Sequence, residues 1–310
     1  MAIQRSERLE GICKEIHDSA NRLIPVVMSL SQLECRKVRE TYMRLYGEDL
    51  AQLRPIINPH NLVLTLMMLN PFERDAALAR KALHLNSNYK PLIEIYTTRK
   101  SSHVLLTHQA YHAKYMSHLD LDIAGIEPPH PFQKILLALS ASHKAHHAET
   151  SQHIAKCDAK RLYETGEGKA RAGIDEAVVI EIFSKRSVAQ LKLTFSNYSH
   201  IYGHSYTSFL KKVDCGAIGD AVRSVAKCIC NPAGYYAKVV YGWFKGETSD
   251  EGAIARVVVS RGEADMGEIE KHLKKKYSVE LKAVICEMIP QGNERDLLLA
   301  MATPKSLPYL

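Results

Sequence analysis

Residues 97–115, TTRKSSHVLLTHQAYHAKY, decide the fold. An apolar run ends at Arg99, Tyr111 follows twelve positions on, and Tyr115 sixteen positions on. Arg186 precedes Tyr202, and Arg261 precedes Tyr277, by the same sixteen; in an earlier copy Leu30 stands sixteen before Tyr46. Twelve positions after these landmarks stand Tyr42, Tyr111, Tyr198 and Leu273. A fixed period of this kind marks an array built from one supersecondary unit. The landmarks lie 69, 87 and 75 residues apart, so the unit is about 70 to 75 residues, with an insertion between the second and third copies. That insertion, SASHKAHHAETSQHIAKCDAK, is polar and histidine-rich and reads as a linker with helical ends.

Within a unit the pattern is helical. ERDAALARKALHL, LIEIYTTR, HVLLTHQAYHAKYM and FQKILLALSAS place apolar residues at steps of three and four, and the breaks hold Asn, Pro, Gly or Ser. No alternating strand pattern competes. Helices this short are unstable alone and must bury their apolar stripes against one another, which predicts an all-α protein of packed bundles.

Composition narrows the function. Of 310 residues 46% are apolar, enough for a substantial core, and no stretch approaches the roughly 18 apolar residues of a spanning helix. The opening MAIQRSERLEG lacks the apolar segment of a secretory signal, so a cytoplasmic protein is expected. Seven scattered cysteines without a CxxC pair suit a reducing compartment and read as mostly buried thiols. A net charge of +7, with fifteen neutral histidines, implies an anionic partner. Nucleic acid and acidic lipid both qualify, and charge alone does not choose between them; zinc-finger spacing, an RNP-like motif and a long Lys/Arg block are all missing, so no nucleic acid is expected.

A unit of about 70 residues, made of five short helices and closing on an arginine followed by Tyr-Gly, resembles the annexin repeat. LNPFERDAALARKAL (69–83) resembles the plant annexin junction between repeats one and two, and TTRKSSHVLLTHQAYHAKY the body of repeat two. SKRSVAQLKLTFSNY (184–198) and DEGAIARVVVSRGEADM (250–266) are similar to repeats three and four. The resemblance implies a curved disc of four repeats: residues 7–75 (degenerate), 76–142, 158–232 and 233–310, with 143–157 as linker. It also implies a peripheral membrane protein whose loops hold calcium against the phosphates of acidic phospholipids. Calcium takes six to eight oxygen ligands, so loop carbonyls plus one carboxylate leave positions open for lipid phosphate.

The family loop, Lys-Gly-x-Gly-Thr-Asp, carries an acid 42 positions after its first glycine. Its best match is Lys245, Gly246, Glu247, Thr248, Ser249 and Asp250. The resemblance assigns the carbonyls of Phe244, Gly246 and Thr248 as calcium ligands, with Glu287 as the acid. Thr248 replaces a glycine, and Glu287 stands one place early because position 288 is methionine. Repeat one offers Lys14 to Ser19 without a glycine, and repeat two His84 to Asn88, so neither is expected to bind calcium. Repeat three keeps Gly173 and Asp175, with Asp214 near the acid position, but has Arg171 at the first glycine position.

Each residue has a plainer reading. Gly246 and Gly173 serve equally as helix C-caps, and Asp250 and Asp175 as N-caps. Arg99, Arg186 and Arg261 read as ties between helix ends, and the tyrosines as core. Trp243 and Phe244 are either core or, if exposed, suited to a membrane interface. His143, His146, His147 and His153 suggest a metal site or a pH-sensitive cationic patch, although an exposed polar linker is the simpler account. GEGKARAG (166–173) lacks the GxxxxGK[ST] spacing of a phosphate loop. The peroxidase histidine of some plant annexins is replaced by Ser29, before Leu30, so the chain is not expected to be an enzyme. The alternative to a lipid binder is an annexin-fold scaffold that binds protein such as cytoskeleton.

Overall fold

The computed structural model describes residues 2–19, 22–51, 62–84, 88–144, 149–169, 173–213, 215–247, 250, 252–262 and 264–302. Among them the elements are all helical, as the periodicity predicts. In chain order they are α1 (Ala2–Asp18), α2 (Leu23–Ser29), α3 (Gln32–Tyr46), α4 (Leu62–Met68), α5 (Pro71–His84), α6 (Lys90–Thr98), α7 (Ser101–Tyr115), α8 (Leu119–Ala124), α9 (Pro131–Lys144) and α10 (Gln152–Glu164). There follow α11 (Glu176–Lys185), α12 (Val188–Tyr202), α13 (Tyr206–Lys212), α14 (Gly216–Cys230), α15 (Pro232–Phe244), α16 (Ala253–Arg261), α17 (Met266–Tyr277), α18 (Leu281–Met288) and α19 (Asn293–Ala302). Among the described residues no helix is long and apolar enough to cross a membrane.

The landmarks of the sequence fall on equivalent helix positions. Leu30, Arg99 and Arg186 cap the C-termini of α2, α6 and α11, and Arg261 closes α16. Tyr46, Tyr115, Tyr202 and Tyr277 are the last residues of α3, α7, α12 and α17. Four residues earlier in those helices, Tyr42, Tyr111, Tyr198 and Leu273 point one turn back along the same face and are buried. All four helices then stop in a left-handed residue: Gly47 (φ 73°), Met116 (φ 53°), Gly203 (φ 76°) and Ser278 (φ 55°). Glycine takes this conformation without cost, while Met116 and Ser278 take it against the clash of their Cβ atoms.

Helix starts are fixed by side-chain oxygens that accept from backbone N–H groups otherwise left without partners. Ser31 and Glu34 form a capping box on α3; Ser151, Asp175, Ser187 and Ser205 cap α10, α11, α12 and α13.

The chain divides into two compact units, residues 75–235 and residues 1–74 with 236–310. In the first, α10 packs on α12, α9 on α11, and α6 on both α9 and α14. Its core includes Leu92, Tyr96, Tyr111, Phe183, Tyr198 and Phe209. Arg99 donates to both oxygens of buried Asp75 at 2.7 and 3.1 Å, and Arg186 to both oxygens of buried Asp158 at 2.6 and 3.2 Å. These arginines therefore tie the end of one helix to the flank of another. Burial on its own would raise the Asp75 carboxyl, but Arg99 and His103, the latter at 2.8 Å, hold it below the ordinary carboxylate value.

In the second unit α1 packs on α3, α3 on α4, and α16 on α4 and α19, so helices from the two ends of the chain share one core. Buried Arg74 donates to the carbonyls of Leu66 and Val259 and to Gln32, whose side chain also donates to Val259. Arg261 pairs with Asp265 at 2.6 and 2.7 Å, and its guanidinium lies 5.0 Å from the centre of the Tyr236 ring.

Candidate functional site

The sequence directs attention to the C-terminus of α15. There the Gly246 N–H donates to the Trp243 carbonyl at 3.0 Å and the Glu247 N–H to the Gly242 carbonyl at 2.8 Å. With Gly246 at φ +68°, this is a Schellman cap. A Cβ at Gly246 would meet nothing within 4 Å, so the backbone conformation rather than crowding asks for glycine. The C-cap reading of Gly246 is therefore what the structure shows, and it has a chemical consequence. The cap uses the Gly242 and Trp243 carbonyls and Lys245 uses that of Tyr241, while those of Phe244 and Gly246 accept no hydrogen bond among the described residues. A helix C-terminus also carries partial negative charge, which favours a cation. Lys245 opposes this with its ammonium, held 4.6 Å from the centre of the Phe244 ring.

The other assigned ligands are less defined. Thr248, like Ser249, lies outside the described residues. Glu287 sits in the last turn of α18, exposed and without a described partner. Asp250 departs from the N-cap reading: its carboxylate accepts from both terminal nitrogens of buried Arg256, at 3.1 and 2.9 Å, and both residues are almost fully buried. An acid committed in this way is a structural anchor for the start of α16. Trp243 and Phe244 are half-buried, between the two expectations.

Lys14 to Asp18 lie within α1, which accounts for the lack of a loop in repeat one. Leu85 to Ser87, Arg171 and Asp214 lie outside the described residues. Asp175 caps α11, its side chain accepting from the Val178 N–H at 3.2 Å, as the N-cap reading has it. Gly173 is not a C-cap: α10 ends at Glu164, and Gly173 instead stands two residues before the Asp175 cap of the next helix.

The histidine-rich insertion divides. His143 is buried in the last turns of α9, where its Nε2 donates to the Tyr96 carbonyl at 2.6 Å and its Nδ1 pairs with the Ser101 hydroxyl at 3.0 Å. Both ring nitrogens are engaged, and burial lowers its pKa below the ordinary histidine value despite the bond to Tyr96. It serves neither an exposed metal cluster nor a cationic patch. His153 is exposed on α10 with its Nε2 3.7 Å from the Cys157 sulfur, and His146 and His147 lie outside the described residues. Among the described residues no group of three metal-binding side chains forms. The cysteine expectation also needs correction: Cys13, Cys35 and Cys228 are buried, but Cys157, Cys230 and Cys286 are exposed.

One charged feature escaped the sequence reading. α17 ends on Lys274, Lys275 and Lys276, and with the start of α18 it forms an open cleft of about 480 Å³ lined by Glu270, Lys271, Lys274, Glu280 and Lys282. The lysine run was visible in the sequence, but its enclosure against α18 was not.

Comparison with known proteins gives these features a setting. The family model described as Annexin matches residues 158–224. Annexin Gh1 of Gossypium hirsutum is 34% identical over 268 residues, which cover 86% of this chain and 84% of the relative. The solved structure of annexin III superposes with a TM-score of 0.81 at 28% identity, covering 95% of this chain and 93% of that one. A calcium-bound annexin (Sm)1 has the same fold, with a TM-score of 0.75 at 19% identity over 95% of this chain and 90% of that one. With a plant relative this similar over most of both chains, and with the helices arranged as in a solved annexin, the protein belongs to the annexin family.

Proposed function

We propose that this annexin binds acidic phospholipid membranes peripherally, with calcium bridging the loop after α15 to lipid phosphate. Annexins are a family known for calcium-dependent phospholipid binding. The observation that carries the reading here is the Schellman cap, which leaves the Phe244 and Gly246 carbonyls uncommitted at the negative end of a helix. Carbonyl and carboxylate oxygens are the donors that calcium prefers. Glu287 supplies the acid, and Thr248 the third carbonyl. The site is weaker than the full family loop, because Thr248 replaces a glycine, the acid is displaced by one residue, and Asp250 is held by Arg256.

Direct electrostatic attraction supplements the calcium. Each Lys or Arg near an anionic surface contributes about 1 kcal/mol, and a chain of net charge +7 has several to offer. The protein works in the cytoplasm, reversibly attached to membranes, without an enzymatic role. Its chain divides into four modules at 7–75, 76–142, 158–232 and 233–310, a division supported by the equivalent helix ends at Tyr46, Tyr115, Tyr202 and Tyr277.

A second reading, a scaffold for protein partners such as cytoskeleton, is favoured by exposed apolar residues on α7 and at the start of α8. Leu105, Met116 and Leu121 are 51%, 81% and 65% exposed. Co-sedimentation with vesicles of phosphatidylcholine and phosphatidylserine separates the two. Pelleting stimulated by calcium and reversed by chelator supports the first; no pelleting under either condition supports the second.

A further inference from the structure

Two metal-binding side chains meet on α10, away from the loop after α15. His153 and Cys157 stand one turn apart on the same helix face. Both are exposed, and the His153 Nε2 lies 3.7 Å from the Cys157 sulfur. The backbone beneath them is held in place from below. Ser151 caps the helix by accepting from the Ile154 N–H at 3.3 Å, Ala155, Asp158, Ala159 and Leu162 are buried, and Arg186 donates to both oxygens of Asp158. The pair is therefore presented on an anchored helix rather than on a loop.

A thiol donating weakly to an imidazole accounts for the contact, but the same spacing suits a metal. Zinc binds thiolate sulfur at about 2.3 Å and imidazole nitrogen at about 2.0 Å, and at a tetrahedral angle these lengths put the two donor atoms about 3.5 Å apart. The observed 3.7 Å exceeds this by about 0.2 Å, within the tolerance of such a site. Thiolate with imidazole is also a donor pair for soft divalent metals, whereas calcium takes oxygen. Of the two lysines that flank the pair, Lys160 is offset by Glu164 at 3.5 Å, and the charge of the thiolate offsets Lys156. We propose that His153 and Cys157 chelate a soft divalent metal of the zinc class on the surface of α10. On binding, Cys157 releases its thiol proton to solvent as the sulfur bonds the metal, while neutral His153 donates its Nε2 lone pair and keeps its proton on Nδ1. No electron is transferred. The two side chains fill half of a tetrahedral set; water, or the same pair from a second copy of this chain, fills the other half. The site shares no residue with the calcium loop and does not depend on the calcium reading.

The test titrates the full chain, kept reduced, with cadmium. The ultraviolet charge-transfer band of a cadmium–thiolate bond reports sulfur alone, so oxygen sites such as the calcium loop stay silent. The wild type develops the band saturably, and zinc competes it away. Cys157→Ser abolishes the saturable band, and His153→Ala raises the cadmium needed for half-saturation about tenfold, as loss of one of two ligands does. Cys230→Ser, which removes an exposed thiol on α14, leaves the titration unchanged. Cys157→His keeps zinc binding, read as a zinc-dependent rise in the thermal melt, while losing the band; this separates chelation from the reactivity of a thiol. Sedimentation at saturating zinc identifies the remaining ligands. A monomer points to water and a dimer to a second copy, and either supports the chelate. A saturable band of wild-type affinity in Cys157→Ser, or an unchanged midpoint in His153→Ala, would overturn the assignment.

Discussion

Replacing Met116 with glycine should make this protein more stable. Met116 ends α7 at φ 53°, the position that glycine fills at Gly47 and Gly203. A residue with a Cβ is disfavoured in this left-handed conformation by roughly 1 to 2 kcal/mol. Glycine removes that cost but gives the unfolded chain extra freedom, which returns about 0.4 to 1 kcal/mol. The Met116 side chain is 81% exposed, so its removal forfeits little burial. The net expectation for Met116→Gly is a gain of about 0.5 to 1 kcal/mol. Urea denaturation followed by circular dichroism reads this as a higher midpoint with an unchanged slope. The mirror substitution, Gly203→Ala, should lose about the same amount, because its Cβ would meet no atom within 4 Å and only the backbone conformation is penalised. A Met116→Gly protein no more stable than the wild type, alongside a neutral Gly203→Ala, would refute the strain argument.

Further outcomes follow from the ion pairs and the loop. Arg99→Leu leaves buried Asp75 with His103 as its partner and should cost about 3 kcal/mol, whereas the double change Asp75→Leu/Arg99→Leu should recover most of that loss. Because the folded pKa of Asp75 is depressed, the pair's contribution is present above the unfolded carboxylate pKa of about 3.9 and is lost as pH falls through the folded value. The wild type and Arg99→Leu should therefore converge in stability below about pH 4, and a gap that widened on acidification would contradict this sign. Glu287→Gln should raise the calcium needed for half-maximal vesicle pelleting about tenfold, since ligand charge sets affinity, with Glu268→Gln as the unaffected control. Equal calcium requirements in both variants would remove Glu287 from the ligand set.

The helical array was legible because its signal is repeated. Tyr42, Tyr111, Tyr198 and Leu273 share a register that only a buried helix face explains, and the landmarks four residues later are helix ends. The cap at Gly246 was legible for a local reason, since glycine's freedom at positive φ is a property of one residue. What escaped depended on partners distant in space. The Asp250 carboxylate looked like a helix cap until Arg256 turned back to hold it. His143 looked like part of an exposed cluster, yet the Tyr96 carbonyl and the Ser101 hydroxyl, more than forty residues away, take both of its nitrogens. Exposure of Cys157, Cys230 and Cys286 left no mark in the sequence, because a small thiol suits either face of a helix. The α17–α18 cleft needed the arrangement of individual side chains, which periodicity does not encode.

Trp243 offers the most direct measurement. It is the single tryptophan of the chain, half-buried in the last turn of α15 and adjacent to the Phe244 carbonyl. Titrating calcium into the protein with phosphatidylserine vesicles should shift its fluorescence in a saturable way, and chelator should reverse the shift. Emission that stays flat while calcium drives the same protein onto the vesicles would place the bridging ion elsewhere and contradict the role given to the α15 loop.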